Sequence, residues 1–485
     1  MVPGRRSRQS LRRRPVNLTP LASPERMDED TEPLHRTWIH IDGPLQRRFV
    51  RPALSFMATE ASGAFVLLAA TVAALVWANS AWGDSYFEFW ETHITISIGS
   101  FHFDESLKHF VNDGLMAVFF FVVGLEIKRE LVIGELNTVK KASLPAMAAL
   151  GGMVVPALIY VAFVVSSGPA DALSGWGIPM ATDIAFSVGV IALLGSRVPV
   201  GAKLFLLALA IVDDIGAIVV IAVFYTSDLS FVWMGVAVAT LLVIIFARQA
   251  GIRAGIIYLP LALIAWFAFL ESGVHATIAG VILGLLVPAR AYYSDSDFRR
   301  RAGWILVRFD RDQASPQAHA RLDQDALALA SIARESVSPL ERWEHALHPW
   351  SSFLIVPLFA LANAGVRFVG VDVVEAVLSP IALGVSVGLA VGKPVGVALA
   401  TWLALKLGIG QLPRHTSFGH IIGLGFLAGI GFTVSLFIAE LAFRSSADAH
   451  VYTDEAKIGI FIGSILAGVI GFTYLRVYKL KSKER

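Results

Sequence analysis

After residue 52, long apolar segments alternate with short polar stretches, and this pattern constrains the fold more than any other feature of the chain. Most of these segments could cross ~30 Å of hydrocarbon as a helix, which takes ~20 residues. We expect helices because lipid offers no hydrogen-bond partners to an open backbone. Twelve membrane-spanning segments are predicted, with approximate edges: 60–79, 109–128, 143–166, 178–195, 203–225, 231–249, 253–270, 273–289, 348–366, 380–405, 418–442 and 456–478.

Composition supports a membrane protein and excludes several other classes. Hydrophobic residues make up 55% of the chain and charged residues 16%, against a usual soluble share of about 25% charged. A net charge of +2 provides no broad basic surface for nucleic acid. The absence of cysteine excludes disulfides, thiolate metal sites, iron–sulfur clusters and covalent haem. The glycine-rich run at 384–394 lacks the spacing and the Ser/Thr of a P-loop, so an ATP-driven pump is not indicated.

Basic residues alternate between the connections and predict the orientation of the spans. The connection 80–106 carries five acids and no Arg or Lys, whereas the stretch 290–342 holds nine arginines. Single basic residues such as Arg367, Arg444 and Lys457 depart from the alternation. We therefore expect a multi-pass protein of the bacterial inner (cytoplasmic) membrane with both termini in the cytoplasm.

The same pattern divides the chain into five regions. The first holds eleven arginines and six acids and predicts a disordered cytoplasmic tail. Alternating residues around a glycine at 92–103 predict a β-hairpin outside the membrane. The regions are 1–52 (Arg-rich tail), 53–289 (spans one to eight), 290–345 (a charged cytoplasmic connection with one short helix near 322–335), 346–479 (spans nine to twelve) and 480–485 (tail).

Ionisable residues inside the apolar segments are candidate functional groups, because a mid-membrane charge costs at least ~2.5–3.5 kcal/mol. They are Asp113, Glu126, Asp183, Asp213, Asp214 and Lys393. Adjacent helical residues point about 100° apart, so the two neighbouring aspartates cannot face one small cation equally. We expect one to take an ion and the other to meet a basic partner, for which Lys393 is the candidate. The alternative is a buried ion-pair cluster that only holds helices together.

Two triplets of segments run in opposite directions across the membrane, which favours an inverted repeat. The first covers 143–225 and the second 380–478, and the middle member of each has a weak centre. These weak centres are Thr182-Asp183 after Pro179, and Gly429 to Thr433. Interrupted helices at matching positions of inverted halves indicate a substrate site at the membrane midplane. For Gly429 and Gly431, close helix packing is the alternative.

Five motifs make the chain resemble the NhaA family of sodium/proton antiporters, itself a known case of inverted-repeat architecture. The likeness covers about residues 55–289 and 341–480. The motifs are Phe119-Phe-Phe-Val-Val-Gly-Leu-Glu126-Ile-Lys-Arg-Glu130, Ala181-Thr-Asp-Ile-Ala-Phe186, Ala210-Ile-Val-Asp-Asp-Ile-Gly216, Gly273-Val-His-Ala-Thr-Ile-Ala-Gly280 and Gly429-Ile-Gly-Phe-Thr433. The Arg-rich tail and the 290–340 connection depart from the compact family core.

The resemblance implies an all-α integral membrane protein of about 12 transmembrane helices, with two discontinuous helices crossing at mid-membrane. It implies that Asp213 and Asp214 form the Na+ site, and that Asp183 and Lys393 offset helix dipoles at the crossing. The expected crossing residues are Thr182, Asp183, Gly429, Gly431, Phe432 and Thr433. The expected pH-response or entry residues are Asp113, Glu126, His275, Glu344, His345 and His348. Each histidine has a plain structural role as its alternative.

The expected activity is exchange of Na+ or Li+ for protons, regulated by pH and electrogenic, with two protons per Na+. A carboxylate pair binds the cation when deprotonated and releases it when protonated, so no cofactor is required. The expected partners are Na+, Li+, H+ and the lipid bilayer, with a homodimer left open. The rivals are a sodium-coupled symporter of an organic solute and an intramembrane aspartyl protease. Adjacent aspartates on one helix cannot form the facing dyad that the protease needs.

Overall fold

The structure is a computed structural model that describes residues 59, 61–98, 101–226, 229–253, 255–312, 318–368 and 372–478. The predicted tails 1–52 and 480–485 lie outside these residues. Helices dominate the described chain. Their bounds are α1 Ser62–Ala78, α2 Gly83–Glu91, α3 Leu107–Val132, α4 Val139–Ser167, α5 Ile184–Leu194, α6 Val200–Phe224, α7 Phe231–Gln249, α8 Gly255–Glu271, α9 Ala276–Leu286, α10 Asp295–Asp312, α11 Ala318–Glu335, α12 Pro339–Asn363, α13 Val373–Leu378, α14 Pro380–Lys406, α15 Phe418–Ala428, α16 Phe432–Ala442 and α17 Ala449–Val477.

Seven of the described helices are long and apolar enough to cross a membrane: α3, α4, α6, α7, α12, α14 and α17. Three bent pairs raise the number to as many as ten if each pair is one span. The helices α8 and α9 are apolar but shorter. An all-α membrane protein is thus confirmed, while the count of twelve spans and the inverted repeat stay predictions.

Two of the bent pairs are broken where the sequence has its weak centres. A 3₁₀ helix, Ala170–Met180, and α5 meet at 41°, and α15 and α16 meet at 48°. The predicted span 178–195 therefore begins too late, because its first half is this 3₁₀ helix. Gly175, Gly177 and Pro179 are poor helix formers, so the sequence before residue 178 resembles a loop.

Two other spans also begin earlier than the apolar runs predict. Helix α12 starts at Pro339 instead of 348, because a capping box at Ser338 stabilises its first turn: Glu341 N–H donates to Ser338 Oγ at 3.1 Å. Helix α17 starts at Ala449 instead of 456. In both, polar first turns lengthen the helix beyond its apolar part.

The predicted hairpin segment forms two antiparallel strands, β1 His93–Ile98 and β2 Phe101–Ser106. The connection 290–345 is more helical than the single short helix near 322–335 that the sequence predicts. It contains α10 as well as α11, and the two helices pack together. The arginine-rich composition of α10 favours a solvated linker, but its apolar residues recur at helical spacing and support a helix.

Close packing of α14 on α4 positions the only lysine that the sequence places mid-span. A Cβ on Gly388 would lie 2.9 Å from the Pro179 side chain, and one on Gly392 would lie 3.0 Å from Pro156 Cα. A π-helical turn, Gly388–Gly392, directly precedes Lys393. These glycines let α14 approach the first broken helix, so Lys393 reaches the break.

Candidate ion site at the contact of two broken helices

The breaks of the two interrupted helices lie against each other and exchange hydrogen bonds. Asp183 N–H donates to the Ile430 carbonyl at 2.6 Å, and Ser187 Oγ donates to the Leu427 carbonyl at 2.8 Å. From the other helix, Ser435 Oγ donates to the Ile178 carbonyl at 2.7 Å. Backbone and hydroxyl groups of each broken helix thus pair with backbone groups at the break of the other, inside the protein.

The buried Asp183 carboxylate joins the beginnings of both second halves. Its Oδ1 accepts from Phe186 N–H at 3.1 Å and so caps α5. Its Oδ2 accepts from the N–H of Thr433 at 3.0 Å and from the hydroxyl of Thr433 at 2.5 Å, in the first turn of α16. Helix N-termini carry partial positive charge, so one carboxylate stabilises two of them.

Lys393 lies near the C-terminus of the 3₁₀ helix and pairs with Asp213. Both side chains are fully buried, with Lys393 Nζ 2.6 Å from Asp213 Oδ2. The same ammonium donates to the carbonyl of Met180, the last residue of the 3₁₀ helix. A cation here offsets the partial negative charge of that C-terminus.

The Thr182 hydroxyl connects Asp213 to the second broken helix. Its Oγ1 lies 2.6 Å from Asp213 Oδ2 and 2.8 Å from the Ala428 carbonyl. A hydroxyl has one proton to donate, so Thr182 can donate to only one of these acceptors at a time. The proton on this hydroxyl therefore links the state of Asp213 to the end of α15.

Two carboxylate groups at the site keep free acceptor capacity among the described residues. Asp213 Oδ1 is buried and has no hydrogen-bond partner. Asp214, the next residue on α6, is 5% exposed and forms no hydrogen bond or ion pair with any residue that the structure describes. Carboxylate oxygens are suitable ligands for a hard cation, so this is where the site can accept one.

The other predicted crossing residues lie at the second break, where two glycines let neighbouring backbones approach closely. A Cβ on Gly431 would lie 2.9 Å from the Ala181 carbonyl, and a Cβ on Gly429 would collide with the Leu389 carbonyl. Phe432 is buried and packs edge-on against Phe186 with ring centroids 5.2 Å apart. Glycine is needed at both positions because the backbones approach too closely for a side chain.

The predicted pH-response residues fall into two separate places. At one end of α3, Asp113 Oδ2 lies 2.9 Å from His109 Nε2, and Asp113 Oδ1 lies 3.4 Å from His275 Nδ1. Glu126 is thirteen residues further along, roughly 20 Å at 1.5 Å per residue. The sequence does not single out His109, because this residue lies in the first turn of α3 and outside the apolar middle of the helix.

At the other end of α3, Arg129 forms an ion pair with the buried Glu344 of α12. Glu126 is half-buried on the same helix and has no hydrogen bond or ion pair to a described residue. His345 and His348 are exposed on α12. The structure therefore brings Glu344 into an ion pair with α3 and leaves the two histidines at the surface.

A second, partly buried ion cluster was not predicted. Glu440 of α16 lies 2.7 Å from Lys108 Nζ and 2.9 Å from Lys457 Nζ. Lys457 was an exception to the basic-residue alternation, and this contact accounts for it. The cluster ties the second half of a broken helix to α3 and α17. Nothing in the local sequence signals it, because the three residues come from distant segments.

Comparison with known proteins gives a consistent result. Residues 54–475 match the family described as Na+/H+ antiporter 1. The Na+/H+ antiporter NhaA of Syntrophobacter fumaroxidans is 44% identical over 434 residues, covering 88% of this chain and 90% of that protein. The Na+/H+ antiporter NhaA of Oleidesulfovibrio alaskensis is 46% identical over 440 residues, covering 90% and 96%. The Na+/H+ antiporter NhaA 2 of Syntrophotalea carbinolica is 45% identical over 435 residues, covering 89% and 98%.

Proposed function

The chain belongs to the Na+/H+ antiporter family, and on that premise we propose that it extrudes Na+ or Li+ at the contact of its broken helices in exchange for two protons per cation. The proposal depends on one observation above all. Of the two neighbouring aspartates, Asp213 is engaged by Lys393, whereas Asp214 has no partner among the described residues. The site therefore combines a paired carboxylate with a carboxylate available to a cation.

Competition is sufficient for exchange. When Asp214 is deprotonated, its carboxylate binds the cation, assisted by the unpartnered Oδ1 of Asp213. Protonation of Asp214 removes the negative charge and expels the cation. The cation and the proton cannot occupy the carboxylate together, so access from alternate sides of the membrane converts a gradient of one into a gradient of the other.

The ion pair supports Lys393 as the second proton carrier. In the proposed cation-free state, the Lys393 ammonium carries this proton and is paired with an ionised Asp213. A cation that draws Asp213 toward itself removes the acceptor that stabilises the ammonium in this buried place. Lys393 then gives up its proton to water reaching the site, and Asp214 gives up the other. Two protons for one Na+ move one net charge per cycle.

The hydrogen bonds at the two breaks offer a way to link ion binding to movement of the broken helices. Movement of one half of a broken helix must break contacts such as Asp183 with Thr433 or Thr182 with the Ala428 carbonyl. These contacts involve groups at the ion site itself. We propose that occupancy of Asp213 and Asp214 controls which of them form, and so links the bound ion to the conformation. Proposed pH control comes from other helices, since Glu126 lies on α3, Glu344 lies on α12 and His275 directly precedes α9.

Everted membrane vesicles test the proposed function. A proton gradient is formed by respiration, and its dissipation is measured after adding Na+, Li+ or K+ between about pH 6 and 9. We expect dissipation by Na+ and Li+, and its loss in Asp214→Asn. Asp323→Asn, an identical change of an exposed residue on α11, is the matched control and should keep full exchange. Exchange at the wild-type rate in Asp214→Asn would contradict the proposal, and solute uptake with Na+ would favour a symporter.

A further inference from the structure

Helix α10 presents an apolar face that the described residues leave largely uncovered. Trp304 is 72% exposed and Val307 is 56% exposed. Three residues apart on a helix, they lie on the same side. The opposite side carries Ala302 and Ile305, which are buried, and α10 packs against α11. The two large apolar side chains therefore point away from the partner helix.

The same helix is rich in arginine, of which Arg308 pairs with Asp325 of α11 and Arg300 pairs with Asp297. Between Asp297 and Asp310 the helix has no acid, and it has four basic residues: Arg299, Arg300, Arg301 and Arg308. Arg299 is exposed and forms no ion pair with a described residue. The combination of an exposed tryptophan, aliphatic neighbours and arginines is typical of helices that lie in a membrane interface.

The helix pair is held at the ends of two membrane helices. The amides of Tyr292 and Tyr293 both donate to the Glu335 carbonyl, at 3.0 and 3.3 Å. The chain that enters α10 therefore lies beside the end of α11. Arg253, from the connection between α7 and α8, lies 3.2 Å from the Glu335 carboxylate. Leu340 N–H donates to the Pro288 carbonyl at 3.2 Å, joining the first turn of α12 to the chain just after α9. This end of the spans is the one that the basic residues predict to be cytoplasmic.

We propose that α10 lies in the interface of the cytoplasmic leaflet and binds anionic phospholipid headgroups. Trp304 and Val307 enter the boundary between headgroups and acyl chains, and Arg299 reaches the phosphates. Helix α11 then lies on the far side, where Leu327 points to water and is 71% exposed. The negative surface potential of such a leaflet attracts each arginine near it. The proposal concerns surface anchoring and does not depend on the transport mechanism.

Because the chain has no cysteine, single-cysteine variants of the full-length protein can be labelled with an environment-sensitive fluorophore. The test positions are Val307→Cys and Trp304→Cys. Phe246→Cys, exposed near the predicted cytoplasmic end of α7, is the lipid-facing reference. Leu327→Cys on α11 is the control. Each protein is reconstituted in phosphatidylcholine, with or without an equal part of phosphatidylglycerol, and quenched by lipids that carry a nitroxide near the headgroup.

We expect quenching at 307 and 304 to match that at 246 in vesicles with phosphatidylglycerol, while 327 stays unquenched. Without phosphatidylglycerol, or in high salt, quenching at 307 should fall severalfold, and Arg299→Gln should lower it in the anionic vesicles. A label at 307 that stays unquenched in both membranes, with 327 behaving as expected, would overturn the proposal and place the face against water or a protein. Equal quenching at 307 with and without phosphatidylglycerol would overturn the assignment to anionic headgroups.

Discussion

Replacing Lys393 by methionine tests how much its ion pair with Asp213 contributes to the free energy of unfolding. Methionine has similar length and no charge, so Asp213 would remain buried without its cation. Breaking a buried pair by removing one partner costs about 3–5 kcal/mol. The Met180 carbonyl at the end of the 3₁₀ helix would lose its donor as well. We therefore expect Lys393→Met to lower the free energy of unfolding by about 3–5 kcal/mol.

Asp213→Asn provides the second arm of a double-mutant cycle. The single change leaves the buried ammonium with only neutral acceptors, whereas the double variant contains no buried charge in this pair. The losses of the two single variants should therefore exceed the loss of the double variant by about 0.5–3 kcal/mol, the usual range for residues in one network. Unfolding in sodium-free mixed micelles, followed by tryptophan fluorescence, measures all four proteins.

Lys406→Met is the matched control, since Lys406 is an exposed lysine on the same helix whose ammonium lies 5.0 Å from the Trp402 ring. It should change the free energy of unfolding little, because surface charges contribute little. If Lys393→Met is as stable as Lys406→Met, or if the single losses simply add, Lys393 and Asp213 are not coupled and the account of the site is wrong.

Three further predictions concern the site and its output. Asp183→Ala should slow exchange less than Asp214→Asn does, yet lower thermal stability, because the first turns of α5 and α16 both lose a cap worth about 1 kcal/mol; a melting temperature equal to that of wild type would contradict this. Exchange at subsaturating Na+ should rise from about pH 6 to 9, since the site must lose protons to bind the cation; a flat profile in everted vesicles would exclude proton competition. A Na+ jump should produce current from proteoliposomes on a solid-supported membrane, and current that persists in Lys393→Gln would remove Lys393 from the proton path.

Most of the membrane helices could be predicted from the sequence because each one has a local signal. A run of about twenty apolar residues needs no knowledge of the rest of the chain. The breaks were also visible, since Thr182-Asp183 and the glycines at 429 and 431 interrupt apolar runs. The 3₁₀ helix Ala170–Met180 was missed because its glycines and Pro179 resemble a loop, and because contacts with distant residues, such as those with α16 and Tyr160, help to stabilise it.

The residues of the site could be predicted from the sequence, but the contacts between them could not. The 100° between neighbouring helical residues requires that Asp213 and Asp214 differ, and the buried lysine indicates a partner for one of them. Which aspartate meets Lys393 depends on how α14 packs against α4, and no local pattern encodes it. The same holds for His109 with Asp113 and for Glu440 between two lysines, where distant segments supply the charges.

Proton release on cation binding shows whether Na+ and protons compete for Asp214. Purified protein in weakly buffered, sodium-free detergent solution at about pH 8 is mixed with NaCl while a pH indicator is read and Na+ binding is measured by calorimetry. The account predicts that wild type releases about two protons per Na+ bound, and that Asp214→Asn neither binds Na+ nor releases protons, while Asp323→Asn behaves as wild type. Na+ binding without proton release, or unchanged binding in Asp214→Asn, would contradict competition between the cation and protons at this carboxylate.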